Sequence, residues 1–306
     1  MSVLISGSLA YDTVFSHEGR FSDDLMRKKL RKLNVTFQAE GMRQSFGGCA
    51  GSIAASLKSL GGDPLVWAAL GRDGGRYLGH LKRLGIRTDA VSVLPDAMSA
   101  QCVITTDSKG CQLTTFHGGA TNRSDELPWP EEKGIELAIL APSVRSVLLA
   151  HAAAFRAHGV PYVFDPGQTV PLLSGDEILE LLGGACAAAC SDYEAALIKK
   201  KTGKSIRRLS KRCGVFFCTH GAKGSEVWVD GEKTEVDAVR VKSAGSPVGA
   251  GDAYRGGLLF GLVKGLAPAE CARIGSVMGA LRVAGKHATL VRARRLYKER
   301  WGKPPF

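Results

Sequence analysis

Short apolar runs alternate with amphipathic segments along most of the chain. The runs at 3–6 and 65–70 have strand length, and the segment 52–60 between them repeats apolar residues at helical spacing. The same alternation returns later, with strands predicted at 137–140, 162–165, 185–190 and 214–218 and helices at 77–84, 143–158 and 176–182. Strands that alternate with helices form a parallel sheet with helices on both faces. The pattern therefore predicts an α/β fold.

Two stretches interrupt this alternation. Residues 13–46 and roughly 95–120 are less regular than the rest of the chain. The second stretch contains two runs of strand character, 101–106 and 111–116, on either side of a turn at 107–110. Such a pair is typical of a β-hairpin.

Length and composition are those of a globular protein with a sizeable core. The chain has 306 residues, 44% of them hydrophobic, and we predict one domain over 1–306. It contains no uninterrupted run of the ~18 apolar residues that a membrane span needs. Its first residues lead into a strand, and its eight cysteines include no CxxC pair. We expect a cytoplasmic protein without a membrane partner.

The chain carries a net charge of +12, from 41 basic and 29 acidic residues. Basic residues cluster at 27–32, 199–204, 207–208 and 292–300. Such clusters can bind the phosphates of a nucleic acid. No aromatic residues are interleaved with them, so solvated helix faces are favoured and a nucleic-acid partner is not expected.

A glycine loop at 249–252 carries the strongest chemical signal. It reads Gly249-Ala250-Gly251-Asp252 and opens an apolar helical run. Glycines let successive backbone N–H groups turn toward one point at a helix N-terminus, where they bind phosphate oxygens. The loop predicts a phosphoryl-transfer site with Asp252 held by a rigid helix.

Asp252 is the candidate general base. An aspartate has a reference pKa near ~3.9, and a helix N-terminus favours its charged form. We therefore expect a weak base that orients the attacking hydroxyl and takes its proton late, because phosphoryl transfer depends mainly on positioning and charge stabilisation. A short Gly-x-Gly-Asp is equally typical of an ordinary helix cap.

The longer stretch 246–258 resembles the second signature of the PfkB (ribokinase-like) carbohydrate and nucleoside kinases, in which the aspartate is the catalytic base. Residues 46–54 resemble the first signature of that family, and 219–224 resemble its TxGxxG nucleotide loop. Within the family, the segments 5–12, 32–37 and 164–168 are most similar to bacterial adenosine kinases.

The resemblance spans essentially the whole chain and implies a ribokinase-like fold. That fold is a parallel-sheet sandwich with helices on both faces and a small β lid, here from about 13–46 and 95–120. The lid would close over the acceptor and exclude water. A lid sheet of this kind also makes a homodimer plausible.

The resemblance also implies an acceptor site. Asp12 would accept hydrogen bonds from two sugar hydroxyls, and Gly47 and Gly48 would let the backbone approach the ribose. Phe37 and Phe116 are candidates to pack against a purine, although each could equally be a core aromatic. The remaining acceptor-side candidates are Ser8, Thr36, Ser52 and Gln168.

On the donor side, the family likeness places ATP across Thr219, Gly221 and Gly224. Mg²⁺ would lie near Ser191 and Glu194, bound to Glu194 through water. The implied reaction moves the γ-phosphoryl of Mg-ATP to the 5′-hydroxyl of adenosine, giving AMP and ADP.

Three positions depart from the family pattern. Ser52, Ser191 and Ser246 stand where the family has asparagine or a similar side chain. Serine has a shorter reach, so we expect a weaker magnesium-water network near Glu194. The segment 285–290, which in the family closes over the adenine of ATP, also fits imperfectly. The alternatives are a kinase for another nucleoside or a free sugar, a catalytically degenerate homologue that binds nucleosides or nucleotides, and a nucleic-acid-binding protein.

Overall fold

The computed structural model describes residues 2–24, 35–241, 245 and 248–306. Ser246, the basic cluster at 27–32 and the first residues of the segment 32–37 lie outside the described residues. Within them, no helix is long and apolar enough to cross a membrane.

Nine strands form the main sheet. They are β1 Ser2–Ser6, β4 Asp63–Gly71, β5 Val91–Leu94, β8 Ile135–Leu140, β9 Tyr162–Phe164, β10 Ala187–Ser191, β11 Val215–Thr219, β12 Ser225–Val229 and β13 Glu232–Val236. Their order is β13-β12-β11-β10-β9-β8-β1-β4-β5. The pairings from β5 to β11 are parallel, as the βα alternation predicts. The sheet is antiparallel at one edge, because β12 and β13 extend it from β11 as a meander with no helix between them.

Helices cover both faces of this sheet, as predicted. They are α1 Phe21–Asp24, α2 Cys49–Ser59, α3 Gly75–Arg83, α4 Arg145–Ala157, α5 Gly175–Gly184, α6 Asp192–Thr202, α7 Ile206–Ser210, α8 Ala250–Val263, α9 Pro268–Val283 and α10 Leu290–Trp301. β1 shows how the faces divide: Val3 and Ile5 pack in one core with α2, α8 and α9, whereas Leu4 packs in the other with α4 to α7. A strand buried on both faces reads as a continuous apolar run.

A second, four-stranded sheet is formed by the segments predicted as a lid, and we call it the lid sheet or lid. It contains β2 Ala10–Ser16, β3 Gly41–Gly47, β6 Ala100–Thr106 and β7 Gln112–His117, in the order β3-β2-β6-β7. The predicted hairpin is confirmed as the antiparallel pair β6–β7. Asp12 lies within β2 of this sheet. The acceptor-side carboxylate is therefore carried by the lid.

Candidate active site

The glycine loop forms the start of α8. Gly249 takes the left-handed conformation, with φ of +78°, and Ala250 begins the helix. Only glycine adopts this conformation without strain. The first N–H groups of a helix have no acceptor within it, so those of Ala250, Gly251 and Asp252 are directed at the space before α8. This geometry suits a phosphate group.

Asp252 lies half-buried in the first turn of α8, against the first turn of α2. Its pKa is raised to about 7, mainly by burial and also by the nearby charge of Asp165. Arg255 and hydrogen bonds from Cys49 and Ser52 act in the opposite direction. The expected weak base was thus wrong, because burial outweighs the helix terminus. A carboxyl with a pKa near neutrality is well matched to proton transfer at pH 7.

Asp165 and Arg255 form a buried ion pair beside Asp252. Asp165 follows β9, and Arg255 lies one turn after Asp252 on α8. The Nε and Nη2 atoms of Arg255 each donate to a carboxylate oxygen of Asp165 at 3.1 Å, and the two side chains are 5% and 4% exposed. The sequence pattern indicated no role for either residue. One feature of the sequence could have indicated a buried charge here: an arginine stands in an otherwise apolar helical run, three residues after Asp252.

The acceptor side is built where β3 meets α2. A Cβ added at Gly47 would overlap the carboxylate of Asp12. Gly48 has φ of +84°, and a Cβ there would lie 2.5 Å from the carbonyl oxygen of Ser8. The Ser8 hydroxyl accepts a hydrogen bond from the N–H of Cys49 at 3.2 Å, so it caps α2. Gly47 therefore allows Asp12 to contact the end of β3, and Gly48 allows the turn before α2 to contact the backbone of Ser8.

This contact predicts the effect of Gly47→Ala. The new methyl group would displace the Asp12 carboxylate, so we expect KM for the acceptor to rise by at least about tenfold, with KM for ATP unchanged. Steady-state kinetics with each substrate varied in turn measures both constants. Gly61→Ala, at a position where an added Cβ meets nothing within 4 Å but φ is +85°, controls for general destabilisation by a Cβ. Equal effects on the two KM values would contradict this role of Gly47.

Phe116 shares a row of the lid sheet with Asp12. Asp12 pairs with Ser45 on one side and Cys102 on the other, and Cys102 pairs in turn with Phe116. Directly paired residues point to the same face of a sheet. Two strand spacings separate Phe116 from Asp12, about 10 Å. The aromatic ring, 56% exposed, thus lies on the Asp12 face of the lid.

Thr36 and Phe37 lie elsewhere. Thr36 is exposed, and Phe37 packs against His17 and Phe21, with ring centroids 5.2 and 5.0 Å apart. His17 follows Asp12 by five residues along an extended segment, or about 16 Å. The structure therefore places Phe37 in an aromatic cluster at the distal end of the lid, whereas Phe116 lies in the row of Asp12.

Gln168 lies close to the base. It is exposed in the turn Gly167–Leu172, and its side chain bonds with the thiol of Cys49. Burial raises the pKa of that thiol well above its ordinary value, so it remains a donor toward Asp252. Cys49, which sequence analysis did not select, thus connects Gln168 to the base.

The predicted nucleotide loop follows β11. The Thr219 hydroxyl donates to the carbonyl of Cys190 at 3.3 Å. Gly221 and Gly224 have φ of +57° and +102°, and a Cβ at Gly224 would overlap the backbone of β13. Just before Gly221, the buried Nε2 of His220 has no hydrogen-bond partner among the described residues and lies 3.8 Å from Glu226 Oε2. The tight glycine backbone of this loop leaves room for a ligand such as ATP to approach the main chain.

Ser191 and Glu194 form a capping box at the start of α6. The Ser191 N–H donates to Glu194 Oε2 at 2.6 Å, and the Glu194 N–H donates to Ser191 Oγ at 3.3 Å. The serine thus caps the helix. In the described part of the chain, no group of three or more His, Cys, Asp or Glu could hold a metal ion. This donor set fits Mg²⁺ held mainly by phosphates and water, with Glu194 as an outer ligand.

A cavity of about 710 Å³ adjoins the start of α8. Its α2 wall includes Lys58 and the small residues Gly51, Ser52, Ala55, Ser56 and Ser59. Its other wall includes Gly249, Arg282 and the segment 285–289, and none of the described lining residues is acidic. This volume is in the range of small-molecule sites. Ser52 therefore lies between the base and a space large enough for part of a ligand.

Comparison with known proteins agrees with this geometry. The structure of Burkholderia thailandensis nucleoside kinase in complex with inosine shares 37% sequence identity and superposes with a TM-score of 0.89, covering 99% of both chains. The same enzyme in complex with ADP and inosine gives a TM-score of 0.85, covering 99% of this chain and 97% of that one. A nucleoside kinase of Methanocaldococcus jannaschii is 27% identical over 92% of this chain and 89% of its own length.

The family assignment follows from the sequence match as well as from the fold. Residues 19–292 match the pfkB family carbohydrate kinase domain, which is most of the chain and includes both glycine signatures and the nucleotide loop. The chain belongs to the pfkB family of carbohydrate kinases.

Proposed function

We propose that the protein is an ATP-dependent nucleoside kinase that phosphorylates the 5′-hydroxyl of adenosine or a related purine nucleoside. One observation carries the proposal: Asp252, with a pKa of about 7, lies beside the N–H groups that open α8 and against the first turn of α2. That turn also adjoins Asp12 through Gly47 and Gly48. A base, a phosphate site and a diol acceptor therefore meet at one edge of the sheet.

The lid favours a nucleoside over a free sugar. Asp12 can accept two hydrogen bonds from a cis-diol. Phe116 lies about 10 Å away in the same row, at a distance suited to the base of a nucleoside whose ribose is bound at Asp12. The similarity to an enzyme whose structure contains inosine supports the same choice. Gln168 bonds with Cys49 at the start of α2, and its amide, which both donates and accepts, is a candidate to contact a purine edge.

In the proposed mechanism, Asp12 orients the ribose and Asp252 takes the proton of the 5′-hydroxyl as the oxygen attacks. The N–H groups at residues 250–252 stabilise the charge that develops on the transferred phosphoryl group. Thr219 and the glycines at 221 and 224 hold the donor nucleotide. When bound, Mg²⁺ neutralises phosphate charge, and Glu194 would hold it through water. The products are AMP and ADP if adenosine is the acceptor.

The test is ADP release from Mg-ATP with a panel of acceptors: adenosine, inosine, guanosine, cytidine, ribose and fructose. We expect turnover with purine nucleosides at a kcat/KM at least about tenfold above that with ribose, because ribose lacks the stacking partner of Phe116. Preference for ribose or fructose would instead identify a sugar kinase. Binding of adenosine without turnover would identify a degenerate homologue.

We also propose that two copies associate through the lid. Met42 and Leu113 are 69% and 44% exposed on its outer strands, which favours burial of this surface in a homodimer. Sedimentation analysis of the protein and of its Met42→Lys variant distinguishes the dimer from a monomer.

A further inference from the structure

The ion pair of Asp165 and Arg255 is buried more deeply than the base beside it. The two side chains are 4% and 5% exposed, and their residues are 90 positions apart in the sequence. Bringing two charges out of water is costly, and such a pair adds little stability compared with apolar side chains of the same size. Its position next to Asp252 therefore calls for a functional explanation.

The side chain of Arg255 points back along α8 toward the phosphate site. Residues three apart on a helix are neighbours, so Arg255 is in reach of the Asp252 carboxylate. Its Nη1 atom lies 3.7 Å from the position of a Cβ built on Gly251. Its Nε and Nη2 atoms, however, are both bonded to Asp165. The geometry thus directs the arginine away from the carboxylate that it could otherwise neutralise.

We propose that the Asp165–Arg255 ion pair is the positioning element of the base: it fixes the first turns of α8 against the end of β9 and keeps Arg255 from pairing directly with Asp252. An unrestrained arginine would hold the Asp252 carboxylate fully ionised and poorly basic. With Asp165 as its partner, the arginine supplies positive charge near Gly251 while the base keeps its affinity for a proton.

The other groups around Asp252 do not replace this pair. Cys49 and Ser52 of α2 donate hydrogen bonds to its carboxyl. Glu194 of α6 acts electrostatically on Asp165 and Arg255. Tyr77 of α3 donates to the carbonyl of Gly47 at 2.6 Å, and burial raises its pKa far above neutrality, so it stays uncharged. Asp165 and Arg255 are therefore the charges of opposite sign that set the balance at the base.

The role predicts opposite effects of the two single variants. Asp165→Asn leaves the positive charge of Arg255 beside the base, so the pKa of Asp252 should fall by about 1 unit or more. Arg255→Gln leaves the carboxyls of Asp165 and Asp252 without a cation. These two carboxyls should share a proton up to a pH at least about 1 unit higher than in the parent. The double variant, with two neutral amides, should lie between them. Arg255→Lys keeps the charge but loses the bidentate contact, so it should lower kcat with little change in the pKa of Asp252.

Two measurements test the inference. One is the acidic limb of kcat/KM against pH, which depends on the proposed kinase activity. The other is urea unfolding as a function of pH, measured for each variant with and without the additional change Asp252→Asn. The difference in unfolding free energy between the two reports the pKa of Asp252 without any turnover. Failure of the kinase assay in the parent protein would thus contradict the proposed function and still leave the inference tested.

The inference is supported if the pH midpoint of the Asp252 titration moves in opposite directions in Asp165→Asn and Arg255→Gln. Equal midpoints in all variants, or shifts of the same sign, would overturn it and leave the pair a structural tie. If Arg255→Gln does not fold, the comparison of Asp165→Asn with the double variant isolates the arginine charge and decides the sign. Glu180→Gln, which breaks the ion pair of Glu180 with Arg156 between α5 and α4, is the matched control and should move neither midpoint.

Discussion

Replacing Asp252 with asparagine is expected to lower kcat by ~10²- to 10⁴-fold while KM for the acceptor changes little. Asparagine keeps the size of the side chain and its contacts with the first turn of α2, but it cannot take the proton of the attacking hydroxyl. The loss should therefore fall on the chemical step and not on binding. Single-turnover kinetics with saturating Mg-ATP and acceptor measures that step directly.

Asp176→Asn provides the matched control for this variant. Asp176 is exposed in the first turn of α5, so the substitution removes the same charge from an equivalent helix position outside the site. It should leave kcat unchanged. If Asp252→Asn retained the parental rate, Asp252 would not be the general base. Equal losses in both variants would indicate a loss of helix stability instead.

The second large expected effect concerns stability and pH. The pKa of Asp252 is raised from 3.8 to about 7 in the folded protein, mainly by burial. Between these values the native state holds a proton that the unfolded chain has released, so the free energy of unfolding falls as pH rises from about 4 to about 7. A shift of about three units corresponds to at most ~4 kcal/mol. Above pH 7 this contribution stays constant.

The Asp252→Asn protein lacks this titration. The unfolding free energy of the variant minus that of the parent should therefore increase steadily with pH. Between pH 4 and pH 8 this difference should rise by up to ~4 kcal/mol. Urea unfolding of both proteins from pH 4.5 to 8.5 tests this difference. Parallel curves would show that the folded-state pKa of Asp252 is not raised. Asp176→Asn should remain parallel to the parent.

Several elements were predictable because their signals are local. The alternation of apolar runs with amphipathic segments places β1, α2 and β4 within a few residues of their observed bounds. The loop at 249–252 fixes the start of α8, because glycine is needed for a φ of +78° and the carboxylate follows it directly in sequence. The turn at 107–110 joins two strands that pair with each other, so the hairpin could also be read from adjacent residues.

The charge state of the base was not predictable in this way. A local argument sees Asp252 at a helix N-terminus and concludes that its carboxylate is stabilised. Burial against α2 and the charge of Asp165, far away in sequence, decide the result in the opposite direction. The placement of the aromatic candidates likewise depends on strand register, which brings Phe116 into the row of Asp12 and leaves Phe37 at the other end of the lid.

The sequence by itself determined the family, the α/β architecture and the residues that begin α8, because each depends on contiguous residues and on backbone conformations that few side chains permit. Only the tertiary structure decided which distant charges surround Asp252, how Asp165 restrains Arg255, and which lid aromatic lies in the row of Asp12. Electrostatic energies and side-chain contacts depend on distances in space, and those are fixed only when the sheet, α2 and α8 pack together.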